Sequence, residues 1–354
     1  MTAGPDVAVL IVTFRGLELT RDCVRSVLAS RDVRLQVIVI DNASGDETAE
    51  ALAREFPAIT LLAEPVNRGY TGGNNAGLRL AAASGARYAL ILNNDTVLDP
   101  HCIARLVAAA DAAQDVGLAA PQIRYHSHPE LLWYGGGTFN PWTGRSTHIG
   151  RKRPASAGLP TACEVSFVTG CALLVRMAAL PAVGLLDESL FGYVEDLDWS
   201  VRFRQAGHRL RYVPEAMLWH REGISHRRAG GRALQVYLAG RNQLRVLGRH
   251  SRWYQWPTIV PAFVIDHIGR FTALSILHRD PAEFAAIFRG IWHAMVGGRH
   301  PIEPSVGPDG PNQQLGVEQI AGETEGETVG DPAARQHRRG MRGDRLDPKP
   351  GLLK

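Results

Sequence analysis

Paired cysteines are absent from this chain of 354 residues. Its four cysteines, Cys23, Cys102, Cys163 and Cys171, form no CxxC pair, which argues against a zinc ribbon and against a disulfide framework. No basic segment followed by an apolar run opens the sequence, so no signal peptide is expected. The formal net charge of +4 at pH 7 is too small to indicate nucleic-acid binding. We therefore expect a reducing compartment and no nucleic-acid partner.

Two familiar nucleotide-binding signatures are also missing. The turn after the first predicted strand reads FRGLELT and lacks GxGxxG, and the P-loop pattern GxxxxGK[ST] occurs nowhere in the chain. The main sequence evidence for a dinucleotide-binding protein or a P-loop protein is therefore missing. What remains is an ordinary composition for a soluble globular protein, with 45% hydrophobic and 21% charged residues. The length allows one large domain or two modest ones.

Short apolar runs alternate with helical patterns over the first hundred residues. Each run is brief enough for a strand buried on both faces, and the runs cover residues 7–14, 35–40, 59–63 and 88–92. Helices are predicted over residues 17–30, after a capping box at residues 44–47, and after a glycine-rich segment at residues 67–77. This alternation predicts an α/β fold with a Rossmann-like, mostly parallel sheet and helices on both faces.

The predicted strand at residues 88–92 ends abruptly in Asn93, Asn94 and Asp95. In open α/β sheets, ligands bind at the carboxyl ends of the strands. One carboxylate beside two amides suits a hard divalent ion shared with a diphosphate, which makes Asp95 the first candidate metal ligand. The alternative is a simple turn, because Asn and Asp are common where strands stop.

Three further polar loops follow strands or lead from them into helices, at residues 13–16, 41–46 and 67–75. Each has a structural alternative as a helix cap, a turn or a strand end. Together they favour a nucleoside diphosphate held by a metal, because backbone amides in glycine-rich turns and at helix amino ends bind phosphate. Asp41 can accept the imide N–H of a pyrimidine base.

Residues 122–162 are rich in Gly, Pro, His and aromatic residues without a clean period. This pattern predicts hairpins or a long loop over the sheet edge, facing an acceptor or acting as a lid. The apolar run VSFVTGCALLV at residues 165–175 predicts another central strand.

A second polar cluster lies in LLDESLFGYVEDLDW at residues 185–199. Glu195, Asp196 and Asp198 fall in the first turn of a helix predicted to end near Ala206, where the helix dipole favours acids. The dipole does not explain the flanking aromatics, including Trp199, so we interpret this stretch as the wall of a site. His220 ends a later strand-like run, and a lone histidine of this kind is more often structural than a ligand.

Seven motifs, taken in chain order, resemble those of the inverting family 2 glycosyltransferases with the GT-A fold, especially the bacterial rhamnosyltransferase-like branch. They are VTF, VIDNASGD, NRGYTGGNNAG, LILNNDT, VTGCALLV, LLDESLFGYVEDLDWSVRFRQAG and WH. The resemblance covers about residues 6–250 and implies a GT-A domain over residues 1–250. Within it, residues 1–120 would form the nucleotide-binding half and residues 121–250 the acceptor and catalytic half.

The resemblance also implies roles for individual residues. Asp95 takes the last position of the DxD motif and is the expected Mn²⁺ or Mg²⁺ ligand, joined by His220, and Asp196 matches the catalytic base. Asn93 replaces the first acid of DxD, so a single carboxylate would hold the ion alongside the diphosphate oxygens. Arg15 stands where many relatives have Asn, and it either contacts a phosphate or is solvated. The expected nucleotide-sugar contacts are Thr13, Arg15, Asp41, Asn42, Ser44, Asn67, Arg68, Gly69, Asn74, Asn93 and Asn94. The expected supports of the acceptor side are Glu195, Asp198 and Trp199.

The carboxyl-terminal third changes in character. Residues 221–252 carry eight arginines against one acid, which indicates either a solvated basic face or a surface for anionic lipid or a lipid-linked diphosphate. Residues 251–300 are rich in Trp, Phe and Ile, but prolines and charges interrupt them before the roughly 18 apolar residues of a spanning helix. We expect amphipathic helices on the cytoplasmic face of the cell membrane and a cytoplasmic, peripherally bound protein. Residues 301–354 have no aromatic residue and are expected to be disordered.

The leading hypothesis is an inverting transfer of a sugar, best L-rhamnose, from a dTDP or UDP donor to a lipid-linked or cell-surface glycan acceptor. A sugar-nucleotide nucleotidyltransferase is one alternative, although it would carry a Gly-rich basic loop after the first strand, which FRGLELT is not. A non-catalytic protein that binds a nucleotide sugar or a glycan is the other. Such a protein would have no use for a base at Asp196.

Overall fold

A computed structural model describes residues 4–157, 161–222 and 231–297. The strands are β1 (Val7–Thr13), β2 (Leu35–Asp41), β3 (Thr60–Ala63), β4 (Tyr88–Asn93), β5 (Thr96–Leu98), β6 (Val116–Tyr125), β7 (Leu132–Tyr134), β8 (Gly137–Asn140), β9 (Arg145–His148), β10 (Cys163–Val165), β11 (Ala172–Arg176) and β12 (Arg209–His220). The helices are α1 (Leu17–Leu28), α2 (Thr48–Glu55), α3 (Gly69–Ala83), α4 (Cys102–Asp111), α5 (Leu180–Val183), α6 (Glu195–Gln205), α7 (Gly231–His250), α8 (Trp256–Phe263), α9 (Arg270–His278) and α10 (Pro281–Val296).

One ten-stranded sheet organises the chain, in the order β10-β12-β6-β11-β4-β1-β2-β3, with β5 added beside β12 and β7 beside β6. Strands β3, β2, β1 and β4 are parallel, whereas β11 runs antiparallel to both β4 and β6. Residues of β1 and β4 are almost completely buried, as their continuous apolar runs predict. The predicted α/β fold is confirmed, and the second half adds antiparallel strands to the parallel first half.

The parallel register brings the ends of three strands to one edge of the sheet. Thr13 pairs with Asp41 across β1 and β2, and Val12 pairs with Asn93 across β1 and β4. The turn that holds Asn94 and Asp95 therefore lies beside the ends of β1 and β2. The positions of these loops after successive strands predict that they meet at one edge of the sheet, and this register brings them there.

The glycine-rich segment differs from its prediction as a loop, because α3 already begins at Gly69. Two of its glycines face the sheet. A Cβ on Gly73 would lie 3.0 Å from Val12, and a Cβ on Gly77 would lie 3.0 Å from Ile40. These glycines allow the helix to pack closely on β1 and β2, so their main role here is in packing.

Two other local predictions are wrong. Residues 44–47 do not form a capping box, because α2 begins at Thr48 and Ser44 instead bonds to Asp41. The predicted strand over residues 165–175 is interrupted, since β10 ends at Val165 and β11 starts at Ala172. The predicted hairpins over residues 122–162 include β8 and β9, which pair with each other.

The carboxyl-terminal helices α7 to α10 differ most from expectation. Residues Trp253–His278 form one helix of 26 residues with a mean hydropathy of 1.4 in its most apolar 18-residue window, long and apolar enough by length and composition to cross a membrane. Pro257 lies in the first turn of α8, where no backbone donor is needed, and a π-helical stretch at Val264–Gly269 continues the helix past Pro261. Arg241, counted with the basic face, is fully buried. Arg227, Arg228 and the predicted disordered tail at residues 301–354 lie outside the described residues.

Candidate active site

Asp95 and His220 form the polar centre of the sheet edge. His220 Nε2 lies 3.1 Å from Asp95 Oδ1, and both side chains are buried. Strand pairing fixes this contact, because His220 pairs with Thr96 across β12 and β5. Burial disfavours a charge on His220, but the neighbouring Cys171 and Asp95 outweigh it and hold its pKa well above the usual range.

The side chain of Asn94 stabilises the turn after β4, which also holds Asp95. Its amide nitrogen donates to Thr20 Oγ1 at 3.0 Å and to Thr13 Oγ1 at 3.3 Å, and Thr20 also donates to Thr13 at 2.8 Å. All three residues are buried, so the structure places Asn94 and Thr13 in a hydrogen-bond network that fixes the turn. Asn93 is more exposed, and its backbone N–H donates to the Cys171 carbonyl at 2.9 Å.

The end of β2 forms a second small network. The Asp41 carboxylate accepts hydrogen bonds from the backbone N–H of Ser44 at 3.2 Å and from the Ser44 hydroxyl. Ser44 in turn accepts from the Arg15 backbone N–H at 2.8 Å, and the Arg15 side chain donates to the Ser44 carbonyl at 3.0 Å. Arg15 has a φ of 52°, a conformation that this network holds in place. A carboxylate has about four acceptor positions. Asp41 can therefore still accept a bond from a ligand.

Asn42 links the end of β2 to the start of α3. Its amide nitrogen donates to Asn67 Oδ1 at 3.0 Å and to the Gly69 carbonyl at 2.9 Å, while its amide oxygen accepts from the Arg68 N–H at 2.9 Å. Gly69 has a φ of +70°, and a Cβ there would lie 2.2 Å from the Phe191 carbonyl. Glycine is therefore required at this position.

Arg68 and Asn74 are engaged with the protein itself. The Arg68 guanidinium forms an ion pair with Glu188 at 2.9 Å. Asn74 donates to the Tyr70 carbonyl at 2.9 Å, within the same helix. The buried Asn74 Oδ1 has no hydrogen-bond partner among the described residues, which makes it an available acceptor in the glycine-rich part of α3.

The dipeptide Gly170–Cys171 connects Asp196 with the Asp95–His220 pair. The Gly170 N–H donates to Asp196 Oδ2 at 2.9 Å. The Cys171 thiol interacts with the His220 imidazole, and the Cys171 carbonyl accepts from Asn93. Sequence reasoning missed these two residues. The available signal was a glycine inside an apolar strand pattern, which indicates a break in the strand or a close approach of backbone.

The environment of Asp196 suits a proton acceptor. Burial raises the pKa of Asp196 to about 6, and the hydrogen bonds from Gly170 and Leu197 limit that rise. The adjacent Glu195 is more deeply buried, and burial together with the Asp196 charge holds its pKa well above the usual range. The two neighbouring acids therefore have different pKa values. Asp196 is the one that loses its proton near neutral pH.

Asp198 and Trp199 lie away from this edge. Asp198 accepts hydrogen bonds from Arg202 and His250, each at 2.8 Å, which ties α6 to the end of α7. Trp199 is fully buried, and its indole N–H donates to the Gly184 carbonyl at 3.0 Å. The structure therefore places Trp199 in the hydrophobic core, where its ring contacts that of Phe203 one turn further along α6.

A divalent cation fits the Asp95–His220 pair only with help from a ligand. Within the part of the chain that the structure describes, no group of three or more His, Cys, Asp or Glu side chains could hold a metal ion. One carboxylate and one imidazole leave most coordination positions of Mn²⁺ or Mg²⁺ to water and to diphosphate oxygens. The donor set fits an ion that binds together with a nucleoside diphosphate.

Comparison with known proteins identifies the family. A family model described as Glycosyltransferase like family 2 matches residues 5–239. An N-acetylglucosaminyl-diphospho-decaprenol L-rhamnosyltransferase of Mycobacterium tuberculosis is 30% identical over an alignment of 254 residues, and the match covers 63% of this chain and 78% of that protein.

Two solved structures share the fold. GalNAc-T7, solved with UDP, GalNAc and Mn²⁺, has a TM-score of 0.54 at 16% identity, over 69% of this chain and about half, 48%, of that chain. A mannosyltransferase of Pyrobaculum calidifontis, in complex with GDP-Man and Mn²⁺, has a TM-score of 0.51 at 16% identity, over 85% of this chain and 78% of that chain. They confirm the predicted GT-A fold. With the family match extending over most of the described residues, the chain belongs to the family 2 glycosyltransferases.

Proposed function

We propose that this chain is an inverting glycosyltransferase that moves a sugar, with L-rhamnose the preferred candidate, from a dTDP or UDP donor to a lipid-linked or cell-surface glycan acceptor. One observation carries the proposal. Gly170 binds Asp196 while its neighbour Cys171 contacts His220, so two consecutive residues join a candidate base to a candidate metal pair. A single displacement needs these two functions, a proton acceptor and stabilisation of the leaving group.

Each residue then has a defined role. Asp196 takes the proton of the acceptor hydroxyl as that oxygen attacks the anomeric carbon. Asp95 and His220 would hold Mn²⁺ or Mg²⁺, and the ion would supply the positive charge that stabilises the leaving diphosphate. Inversion by direct displacement requires no protein nucleophile, in contrast to the two close carboxylates of a retaining glycosidase.

The donor assignment rests on Asp41 and on the relatives. Asp41 retains acceptor capacity at the end of β2, and thymine and uracil share the N3–H that such a carboxylate would bind. The similar mycobacterial protein is named as an L-rhamnosyltransferase, which favours rhamnose as the sugar. The remaining donor contacts that we propose are Thr13, Arg15, Asn42, Ser44, Asn67, Arg68, Gly69, Asn74, Asn93 and Asn94.

The acceptor assignment rests on the C-terminal helices. Ile265, Ile276 and Leu277 are at least 65% exposed, and Trp253 is 84% exposed. Arg270 and Arg279, which belong to the same stretch of sequence, are also exposed. Aromatic, aliphatic and basic side chains together favour the surface of an anionic membrane. The similar mycobacterial protein is named for a diphospho-decaprenol acceptor, and we propose a lipid-linked acceptor at the cytoplasmic leaflet, with the protein peripherally bound there.

Release of nucleoside diphosphate from a panel of sugar donors, with and without Mn²⁺, tests this function. We expect release from dTDP-rhamnose or a UDP-sugar that depends on Mn²⁺ and on an added lipid-linked acceptor. A nucleotidyltransferase would instead form a sugar nucleotide from a sugar phosphate, and a binding protein would release nothing. Calorimetric titration completes the test, because tight and selective binding of GDP-mannose would contradict the pyrimidine assignment.

A further inference from the structure

The six residues before the catalytic helix α6 form a loop with an unfavourable backbone, here called the 189–194 loop. Phe191, Tyr193 and Val194 have φ values of 63°, 66° and 70°. None of them is glycine, and for a β-branched residue such as Val194 this region of φ is rare. A backbone of this kind persists only where its surroundings hold it, and such sites concentrate near functional residues.

Two fully buried residues of α7 hold this loop. The Asn242 side-chain nitrogen lies 2.8 Å from the Leu190 carbonyl, 2.7 Å from the Gly192 carbonyl and 2.9 Å from the Tyr193 carbonyl. Arg241 donates to the Leu190 carbonyl at 3.2 Å through Nη2 and to Asn242 Oδ1 at 2.9 Å through Nε. The second bond fixes the orientation of the Asn242 amide, so that its nitrogen faces the loop.

The 189–194 loop lies between the proposed base on α6 and the proposed donor contacts at the start of α3. At its carboxyl end, Val194 directly precedes Glu195 and Asp196 in the first turn of α6. At its amino end, the Phe191 carbonyl lies 3.3 Å from the Thr71 N–H, in the first turn of α3. A shift of this loop would therefore move Asp196 relative to the start of α3, where the donor contacts are proposed.

We propose that Arg241 and Asn242 are positioning residues for the transfer reaction, which hold the 189–194 loop so that Asp196 faces the acceptor hydroxyl. The inference rests on the proposed role of Asp196 as the base. The hydrogen bonds from both residues to the loop go to backbone carbonyls, so the two residues act on the reaction through the loop. The two residues should therefore affect kcat, because a displacement of about 1 Å at a catalytic group lowers the rate on the order of 100-fold.

The test compares Asn242→Ala with Gln243→Ala in the full chain. Gln243 is the next residue of α7 and donates to the Gly144 carbonyl in the turn between β8 and β9, so its loss removes one side-chain bond without touching the 189–194 loop. We expect Asn242→Ala to lower kcat at least about tenfold with a donor KM within about threefold of wild type. We expect Gln243→Ala to leave kcat unchanged. All rates are measured at a temperature where thermal melts show each variant fully folded.

A second readout separates positioning from stability. A displaced loop exposes Asp196 to water, which lowers the pKa of this carboxyl group. The acid limb of the pH profile of kcat should therefore move to lower pH in Asn242→Ala. A loss of stability alone leaves that limb in place. Asn242→Ser keeps one donor and should recover part of the rate. It also serves as the test variant if Asn242→Ala does not fold. Equal kcat values and equal pH profiles for the Asn242 and Gln243 variants would overturn the inference.

Asp196→Asn in the same assay distinguishes this failure from failure of the proposed function. If Asp196→Asn abolishes transfer while the Asn242 variants transfer at the wild-type rate, the positioning role alone is wrong. If Asp196→Asn transfers normally, the base is wrong and the positioning inference fails with it.

Discussion

His220 Nε2 lies 3.1 Å from Asp95 Oδ1, which joins the last residue of β12 to the turn after β4. The two residues are far apart in the sequence, and the antiparallel pairing of β12 with β5 brings them together. A carboxylate and an imidazole are both ligand types that divalent ions accept, and here they are in contact at the carboxyl edge of the sheet, where we propose a metal. This pair is the first target for substitution.

Asp95→Asn should lower metal-dependent transfer by at least about 100-fold, because a bound ion contributes several kcal/mol of charge stabilisation. The amide has nearly the same size, so the fold should survive. Nucleoside diphosphate release at saturating Mn²⁺ measures the loss, and thermal melts check the fold. Asp99→Asn is a matched control, since Asp99 accepts from the His101 N–H and pairs with Arg105 without contacting His220. Full metal-dependent turnover by the Asp95 variant would remove the ion from this position.

Asp196→Asn should keep donor binding and lose transfer. The amide oxygen can still accept the Gly170 N–H bond, so the loop geometry is retained while the proton acceptor is lost. General-base catalysis is worth about 10²-fold to 10⁴-fold, and kcat should fall by that factor. Calorimetric titration of the donor with Mn²⁺ measures binding, and single-turnover transfer measures the chemical step. A parallel loss of donor affinity would make Asp196 a binding residue instead.

The rate should depend on pH through Asp196. Burial raises the Asp196 pKa to about 6, and a base acts only when it is deprotonated, so kcat should fall as the pH drops below about 6. Glu195 interacts with Asp196, so the limb reports the pair and not one residue alone. The measurement is kcat between about pH 5 and about pH 8 at saturating donor. A rate that stays constant down to pH 5 would rule out Asp196 as the rate-determining base.

The strands and the loops at the sheet edge follow from the sequence because their signals are local. Continuous apolar runs mark β1, β2 and β4, and polar residues at their ends mark the edge. The contacts that define the site are not local. Asn242 binds carbonyls of a loop about 50 residues away in the sequence. The helical pattern of arginines and leucines in α7 also does not show that Arg241 is buried while other arginines are exposed. The sequence around Trp199 predicts a position in the wall of the site, whereas packing places this side chain in the core.

Ionisation of Asp196 should affect stability in the opposite sense to activity. Its folded pKa of about 6 exceeds the reference value of 3.8, so the folded state binds more protons than the unfolded state between these values. The free energy of unfolding contributed by this group therefore decreases as the pH rises from about 4 to about 6. Asp196→Asn lacks this penalty and should be more stable than wild type at pH 7.5, with the difference vanishing near pH 3.5. Thermal melts at both pH values test this, and a less stable variant at pH 7.5 would contradict it.

Membrane association should depend on the exposed apolar side chains of the helix Trp253–His278. Deleting this helix and α10 would be a poor test, because α10 buries Ile287 against α7 and its loss would also expose Tyr237 of α7. Substitution on the surface avoids this problem. The triple variant Ile265→Ser, Ile276→Ser and Leu277→Ser removes three large apolar side chains that pack little against the rest of the protein.

The triple variant should sediment poorly with anionic vesicles, because burial of apolar area and attraction of arginines to anionic lipid together drive interfacial binding. The control variant Leu28→Ser and Val66→Ser removes apolar side chains that are 45% and 51% exposed but lie in the amino-terminal half, and it should sediment like wild type. Equal sedimentation of the triple variant and wild type would refute the membrane-facing role of this helix. An alkaline carbonate wash of membranes then separates the two arrangements that its length allows: release indicates a helix lying on the surface, and retention indicates a helix that crosses the bilayer.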